Sequence, residues 1–330
     1  MSGPNVSLAV AIAGVVAGIG LLAGGGEVLV RGAVSLARAL GVSTAVIGLT
    51  VVAAGTSMPE LSVSLLAAIG HQPDIAIGNI VGSNIFNIAV ILGLAALFLP
   101  LVVHMSAVRL EWPVMFVTTV LFLLLARDGA ITRPEGGCFL VLFVAFTAYV
   151  LRVARAEVTP ADEAELDAAL EHLTPRSKTR RVTRDLLSVV GGLAMLALGA
   201  RVLILGGTTI AEALGVSQRL IGLTVAAAGT SLPELSASLV AARRGQADLA
   251  LANVLGSNIF NILVIVGAVS LVTPQVVNPR FVAGDGWWML GVALLLLPLM
   301  LTGRRITRRE GVVLLLVYGA YLVSLGTALR

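Results

Sequence analysis

Apolar stretches long enough to cross a bilayer as helices recur along the chain at about 8–38, 45–69, 75–99, 107–126, 135–152, 184–213, 219–242, 249–272, 285–302 and 310–328. This pattern predicts an all-α polytopic membrane protein with ten transmembrane helices and no separate soluble domain. One sizeable polar stretch interrupts it, at about 153–183, where Asp162, Glu163, Glu165, Asp167 and Glu171 precede Arg176, Lys178, Arg180, Arg181 and Arg184. Thr159 followed by Pro160 resembles a helix cap with proline at the first turn, compatible with a short surface helix, but the expected reading of the stretch is a solvated linker.

The chain is one unit written twice. GVSTAVIGLTVVAAGTSMPELSVSLLAA at 41–68 returns as GVSQRLIGLTVAAAGTSLPELSASLVAA at 215–242, and DIAIGNIVGSNIFNIAVILG at 74–93 as DLALANVLGSNIFNILVIVG at 248–267. Roughly two-thirds of these positions are identical at a constant offset of 174, far beyond what shared hydrophobicity produces. A weaker echo, ITRPEGG at 131–137 against ITRREGV at 306–312, extends the duplicated unit over five helices. The expected organisation is a first five-helix repeat at 1–152, a cytoplasmic linker at 153–183 and a second five-helix repeat at 184–330, integrated in one transmembrane domain. A unit with an odd number of spans enters the membrane from opposite sides in its two copies. The duplication therefore predicts inverted repeats, the architecture of alternating-access transporters with a substrate site near the midplane.

Composition agrees: 58% of residues are hydrophobic and 12% charged, with a mean hydropathy of +1.00. The formal charge of +4 gives no reason to expect nucleic acid as a partner. No cleavable signal peptide is evident, since the first eight residues lack a basic region. The single cysteine, Cys138, excludes an internal disulfide and is expected to be a small buried hydrophobe. Arg109, Arg152 to Arg184, Arg243, Arg244 and Arg304 to Arg309 fall in alternate loops, whereas the opposite loops hold Arg127, Arg133, Arg219 and Arg280. The positive-inside rule then puts the linker in the cytoplasm and both termini outside, in the cell's inner (plasma) membrane.

Glu27 stands four residues before Arg31, the spacing of an intrahelical ion pair. Glu60 and Glu234 alone are expected deep inside strongly apolar segments without a basic neighbour, at equivalent positions of the two repeats. A carboxyl group at such depth costs at least ~3 kcal/mol and points to function. Each follows a proline, Pro59 or Pro233, which removes an N–H and clashes with the carbonyl four residues earlier, so the helix must kink and free carbonyl groups. Thr56 and Ser57, and Thr230 and Ser231, share roughly the carboxylate's face; Ser83 with Asn87 and Ser257 with Asn261 repeat an i,i+4 spacing on the next helix. Hydroxyl, amide, carbonyl and carboxylate oxygens suit calcium and sodium, and neither histidine nor cysteine stands among them for a softer metal. Gly78, Gly82, Ala252 and Gly256 would let neighbouring helices pack closely beside the site.

The paired AAGTSxPEL and GSNIFNI motifs resemble the two alpha-repeats of the calcium/cation antiporter superfamily, near its prokaryotic sodium/calcium exchanger branch. The resemblance implies a secondary antiporter that exchanges calcium for a monovalent cation, with sodium favoured and no cofactor. It also implies a ligand set of Ala53 (carbonyl), Thr56, Ser57, Glu60, Ser83 and Asn87 with Ala227, Thr230, Ser231, Glu234, Ser257 and Asn261. The glutamates would hold calcium, with threonine carbonyls beside them, and the first and sixth spans would form a sliding pair. Sodium/calcium exchangers of this family carry an aspartate in at least one repeat where this chain has Asn87 and Asn261. Two carboxylates balance one calcium ion and equally two sodium ions or two protons, so a proton/calcium exchanger is the alternative. A linker of about thirty residues is too short to fold as a large regulatory calcium-binding domain. A channel is disfavoured because channels usually place their filter on an oligomer axis, and an intramembrane enzyme because no nucleophile, histidine or cofactor motif accompanies the carboxyls. The expected partners are the transported ions and the lipid bilayer, with no obligatory protein partner.

Overall fold

The computed structural model describes residues 8–156, 175–214, 227–279 and 281–328. The first half comprises α1 (Leu8–Leu40), α2 (Thr44–Thr56), α3 (Met58–Ile69), α4 (Pro73–Phe98), α5 (Ala107–Asp128) and α6 (Arg133–Ala156). The second comprises α7 (Pro175–Ala213), α8 (Ala227–Thr230), α9 (Leu232–Arg243), α10 (Ala247–Val272), α11 (Phe281–Arg304) and α12 (Arg308–Ala328). Among the described residues seven helices are long and apolar enough to cross a membrane, and eight if the bent pair α2–α3 counts as one span. The chain is a mostly helical, multi-pass membrane protein.

Three expectations change. The helix carrying the span expected from 184 begins earlier, at Pro175, so the basic run through Arg184 is helical, while its membrane-length apolar part is Val182–Ala211; proline at a first turn loses no hydrogen bond. Cys138 is exposed on α6 rather than buried, a position a small apolar side chain tolerates facing lipid. Glu60 and Glu234 are not the only deep carboxyls: Glu111 at the start of α5 is 5% exposed and Asp185 on α7 is 3% exposed. Packing buries Glu111 near the start of α5 and Asp185 ten residues into α7, where linear hydropathy reads an ordinary span boundary. The acidic block, the Thr159-Pro160 cap, positions 215–226 with Arg219, and Arg280 lie outside the described residues.

Contacts between the halves are reciprocal. Leu101–Val102 pairs antiparallel with Arg305–Ile306, and Ala130–Ile131 with Gln275–Val276. Each short ladder thus joins a loop of one half to the loop of the other that its own duplicate does not use. At the centre α4 and α10 are the most enclosed spans, with 83% of the apolar window of each buried.

The two longest helices, α1 and α7, run against each other along a stripe of glycines. Gly18, Gly25 and Gly32 on α1 recur every seven residues, as do their duplicates Gly192, Gly199 and Gly206 on α7. The pairing is antiparallel and crossed: a Cβ on Gly18 would stand 2.9 Å from the Gly199 carbonyl oxygen, and one on Gly25 would stand 3.1 Å from that of Gly192. Without side chains the backbones approach closely, which in lipid replaces the hydrophobic driving force with van der Waals contact. Gly192→Ala sets a methyl 2.6 Å from the Leu29 amide nitrogen, whereas Gly191→Ala meets nothing within 4 Å. Overpacking costs roughly 1–3 kcal/mol, and alanine gains about 1 kcal/mol over glycine in an open helix position. In thermal melts of the detergent-solubilised protein, Gly192→Ala is expected to lower Tm while Gly191→Ala leaves it unchanged or raises it. Equal melting temperatures would contradict the close α1–α7 contact.

Candidate ion-binding site

Pro59 and Pro233 sit in the first turns of α3 and α9, and each helix path breaks one residue before, at Ser57 and Ser231. The α2–α3 bend is 43°. At Ser57 the backbone has φ −83° and ψ 7°, and at Ser231 φ −88° and ψ 8°, so both corners take the same shape. Asn87 and Asn261 each open a wide π-helical turn, Asn87–Leu92 and Asn261–Val266, of the kind often found at functional sites. The four duplicated segments therefore bring four local irregularities to one place.

Glu60 and Glu234 are fully buried there. The hydroxyls do not serve the carboxylate of their own helix, as helical spacing suggested, but that of the opposite half. Ser57 Oγ donates to Glu234 Oε1 at 2.8 Å, and Ser231 Oγ donates to Glu60 Oε1 at 2.8 Å. The break at each serine turns its side chain away from the i+3 face and across the interface. Ser231 Oγ also lies 3.2 Å from Ser83 Oγ.

Two asparagines absent from the expected set extend this arrangement. Thr56 Oγ1 donates to Asn253 Oδ1 at 3.3 Å, and Asn253 Nδ2 donates to Ser238 Oγ at 3.0 Å. Reciprocally, Thr230 Oγ1 donates to Asn79 Oδ1 at 3.3 Å and Asn79 Nδ2 donates to Ser64 Oγ at 3.0 Å. Each threonine is thereby oriented by the other half. The Ala53 carbonyl accepts the Ser57 N–H at 3.0 Å and lies 3.4 Å from the Thr56 hydroxyl oxygen, so it takes part in the helix's own bonding. Ala227 opens α8 at the equivalent place.

Asn84 and Asn258, also unforeseen, hold the two asparagines that carry the site's amides. Asn87 Nδ2 donates to Asn258 Oδ1 at 3.0 Å, and Asn261 Nδ2 donates to Asn84 Oδ1 at 3.0 Å. With their NH2 groups so engaged, Asn87 and Asn261 are left with free carbonyl oxygens. Polar residues identical in both copies of an apolar segment were the signal for Asn79/Asn253 and Asn84/Asn258; charge drew attention to the glutamates first.

Five of the eight buried side-chain oxygens without a hydrogen-bond partner among the described residues lie in these segments. Glu60 Oε2, Glu234 Oε2, Asn87 Oδ1, Asn261 Oδ1 and Ser257 Oγ are all in this state. Four are acceptor-only oxygens and two of those belong to carboxylates, with no arginine or lysine bonded to either among the described residues. Unpaired buried acceptors are costly, and a desolvated hard cation is the partner that satisfies them together. Gly256 allows the close approach expected of it, since a Cβ would stand 2.6 Å from the Leu49 carbonyl oxygen. The position equivalent to Leu49, 223, lies outside the described residues, while Gly78 faces the Phe281 ring.

A family model described as sodium/calcium exchanger protein matches residues 10–152 and 185–326. CaxA of Alkalimonas amylolytica is 41% identical over 310 residues, covering 93% of this chain and 96% of that one. The sodium/calcium exchanger MaX1 of Methanosarcina acetivorans is 33% identical over 336 residues, covering 93% of this chain and 96% of its own. A solved structure of the sodium-calcium exchanger NCX_Mj, soaked with sodium and strontium, superposes with a TM-score of 0.82 at 30% identity. It covers 97% of this chain and 99% of the other.

Proposed function

The chain belongs to the sodium/calcium exchanger family, and from that premise we propose that it exchanges calcium for a monovalent cation, sodium in the first place, by alternating access. It is a transporter rather than an enzyme. The observation that carries the reading is the set of five buried, unpartnered oxygens contributed by all four duplicated segments around two carboxylates. Two negative charges match one calcium ion, and amide and hydroxyl oxygens complete a shell of the six to eight that calcium takes.

In this reading the ligands are Thr56, Ser57, Glu60, Ser83 and Asn87 with Thr230, Ser231, Glu234, Ser257 and Asn261, and the Ala53 and Ala227 carbonyls border the site. Crossed bonding between duplicates supports an inverted pair of five-helix repeats, 1–152 and 184–330, joined by a linker at 153–183. Ten spans follow if 219–242 crosses as one broken helix and α12 (Arg308–Ala328) crosses as well as the eight counted above. The arginine asymmetry supports a cytoplasmic linker and outer termini in the cell's inner membrane.

Sodium and protons are separated by gradients. Purified protein in calcium-loaded or calcium-free liposomes is given an inward or outward gradient of one ion with the other clamped. Calcium accumulation driven by sodium at constant pH is the expected result. Accumulation driven only by a pH gradient would make the protein a proton/calcium exchanger. Calcium flux that is indifferent to any trans cation would overturn antiport.

A further inference from the structure

The two halves are near-duplicates, so a contact made by one and not by the other marks the conformational state. Helix α1 packs along α9, whereas its counterpart α7 makes at most marginal contact with α3 among the described residues. One duplicated serine shows the difference. Ser236 on α9 donates to the Leu22 carbonyl of α1 at 2.6 Å, while Ser62 on α3 turns back to the Met58 carbonyl of its own helix at 2.8 Å. Leu66 on α3 is correspondingly 69% exposed, and its counterpart Val240 is half-buried beside Gly26 of α1.

The α1–α9 contact ends in an ion pair. The Glu27 carboxylate accepts from Arg31 Nε one turn along at 2.8 Å and from Arg244 Nε across the helices at 2.7 Å, and Arg244 Nη2 pairs with Glu27 Oε1 as well. A two-point guanidinium–carboxylate contact fixes orientation as well as distance. The second half has no way to copy it. The position of Glu27 is held there by Arg201, and that of Arg244 by Gly70 in the first half. The pair can form only while α1 lies on α9, and the duplicated positions, Arg201 and Gly70, offer α7 and α3 no equivalent pair.

We propose that Glu27 and Arg244 are positioning residues that form a one-sided latch, biasing the transporter toward the access state seen here, with α1 closed on α9 and α3 uncovered. This rests on the alternating-access reading. In the proposed topology α9 descends to the cytoplasm and α3 rises to the exterior, so the latch closes the cytoplasmic path and favours outward access. Both side chains are about one-third exposed, at 36% and 35%. Pairs this exposed shift an equilibrium by roughly 2- to 5-fold.

The test is a distance distribution by pulsed electron–electron resonance, in a Cys138→Ala background with spin labels at Leu66→Cys on α3 and Leu205→Cys on α7. Both positions are exposed, and neither side chain is among the site's oxygen donors. The ratio of long to short distances reports the open and covered states of α3. Glu27→Gln and Arg244→Gln should each lower that ratio roughly 2- to 5-fold. The exchange Glu27→Arg with Arg244→Glu keeps one carboxylate between two guanidiniums and should restore it. A ratio equal to the parent's in both single variants overturns the latch while leaving alternation standing. A single distance under sodium, calcium and ion-free conditions refutes alternation, and the latch with it.

Discussion

Replacing either Glu60 or Glu234 by glutamine is expected to abolish calcium transport while leaving the protein folded. Each carboxylate keeps one oxygen on a serine of the opposite half, at 2.8 Å, and turns the other to a place where no protein donor reaches it. Glutamine keeps the first contact through its carbonyl oxygen. Its NH2 group then points at the gathered acceptors, where a cation should sit, and the site falls to a single negative charge. Removing one member of a buried charge cluster costs about 3–5 kcal/mol, a loss of roughly 10²- to 10⁴-fold in calcium affinity. Without bound cation the variant also carries one less uncompensated charge in the membrane interior, so its Tm in ion-free buffer should equal or exceed the parent's. Calcium uptake into sodium-loaded liposomes, read beside a thermal melt, checks both halves of the expectation. A variant that is cooperatively folded and still exchanges at the parental rate would remove Glu60 and Glu234 from the mechanism.

The glutamates were legible in the sequence because a charge in an apolar run is conspicuous, and the duplication doubled the signal. The kink at Ser57 was legible too, since Pro59 cannot donate to Gly55. Partners across the interface were not. Periodicity relates residues on one helix, so it set Ser57 beside Glu60; the break at that serine sends its hydroxyl to Glu234 instead. Asn79, Asn84, Asn253 and Asn258 are neutral, and hydropathy gives a neutral amide little weight, yet Asn84, Asn253 and Asn258 are buried and Asn79 partly so, which makes their hydrogen bonds count. Glu111 and Asp185 looked like ordinary helix ends, because burial at an end depends on which neighbour packs there. The glycine stripe of α1 and α7 was present at a period of seven, but its meaning depends on the antiparallel register of two helices far apart in the chain.

The asparagine pair separates the two halves most sharply, and here the structure predicts an asymmetry between two substitutions that look equivalent. The Asn258 NH2 group donates to the Asn84 backbone carbonyl at 3.2 Å, so its Oδ1 must face Asn87, which donates to it. Asn87→Asp sets an ionised oxygen against Oδ1 at about the same 3.0 Å with no proton between them. Turning the Asn258 amide over would only move the clash onto the Asn84 carbonyl. An unsatisfied buried acceptor costs about 1–3 kcal/mol, and more when charged. Asn261 is placed differently. Its acceptor is Asn84 Oδ1, and the Asn84 NH2 group is spent on the Met289 sulfur at 3.6 Å, a weak acceptor. That amide can turn over, give up the sulfur contact and present its NH2 group to a carboxylate at 261. Asn87→Asp is therefore expected to lower Tm and impair calcium exchange. Asn261→Asp should fold normally, add a third carboxylate to the site, bind sodium more tightly and carry more monovalent charge per calcium. Calcium flux at clamped potentials reads that change as a steeper voltage dependence than the parent's. Identical melting temperatures and identical voltage dependence in the two variants would show that the amide orientations around Asn84 and Asn258 do not govern the site.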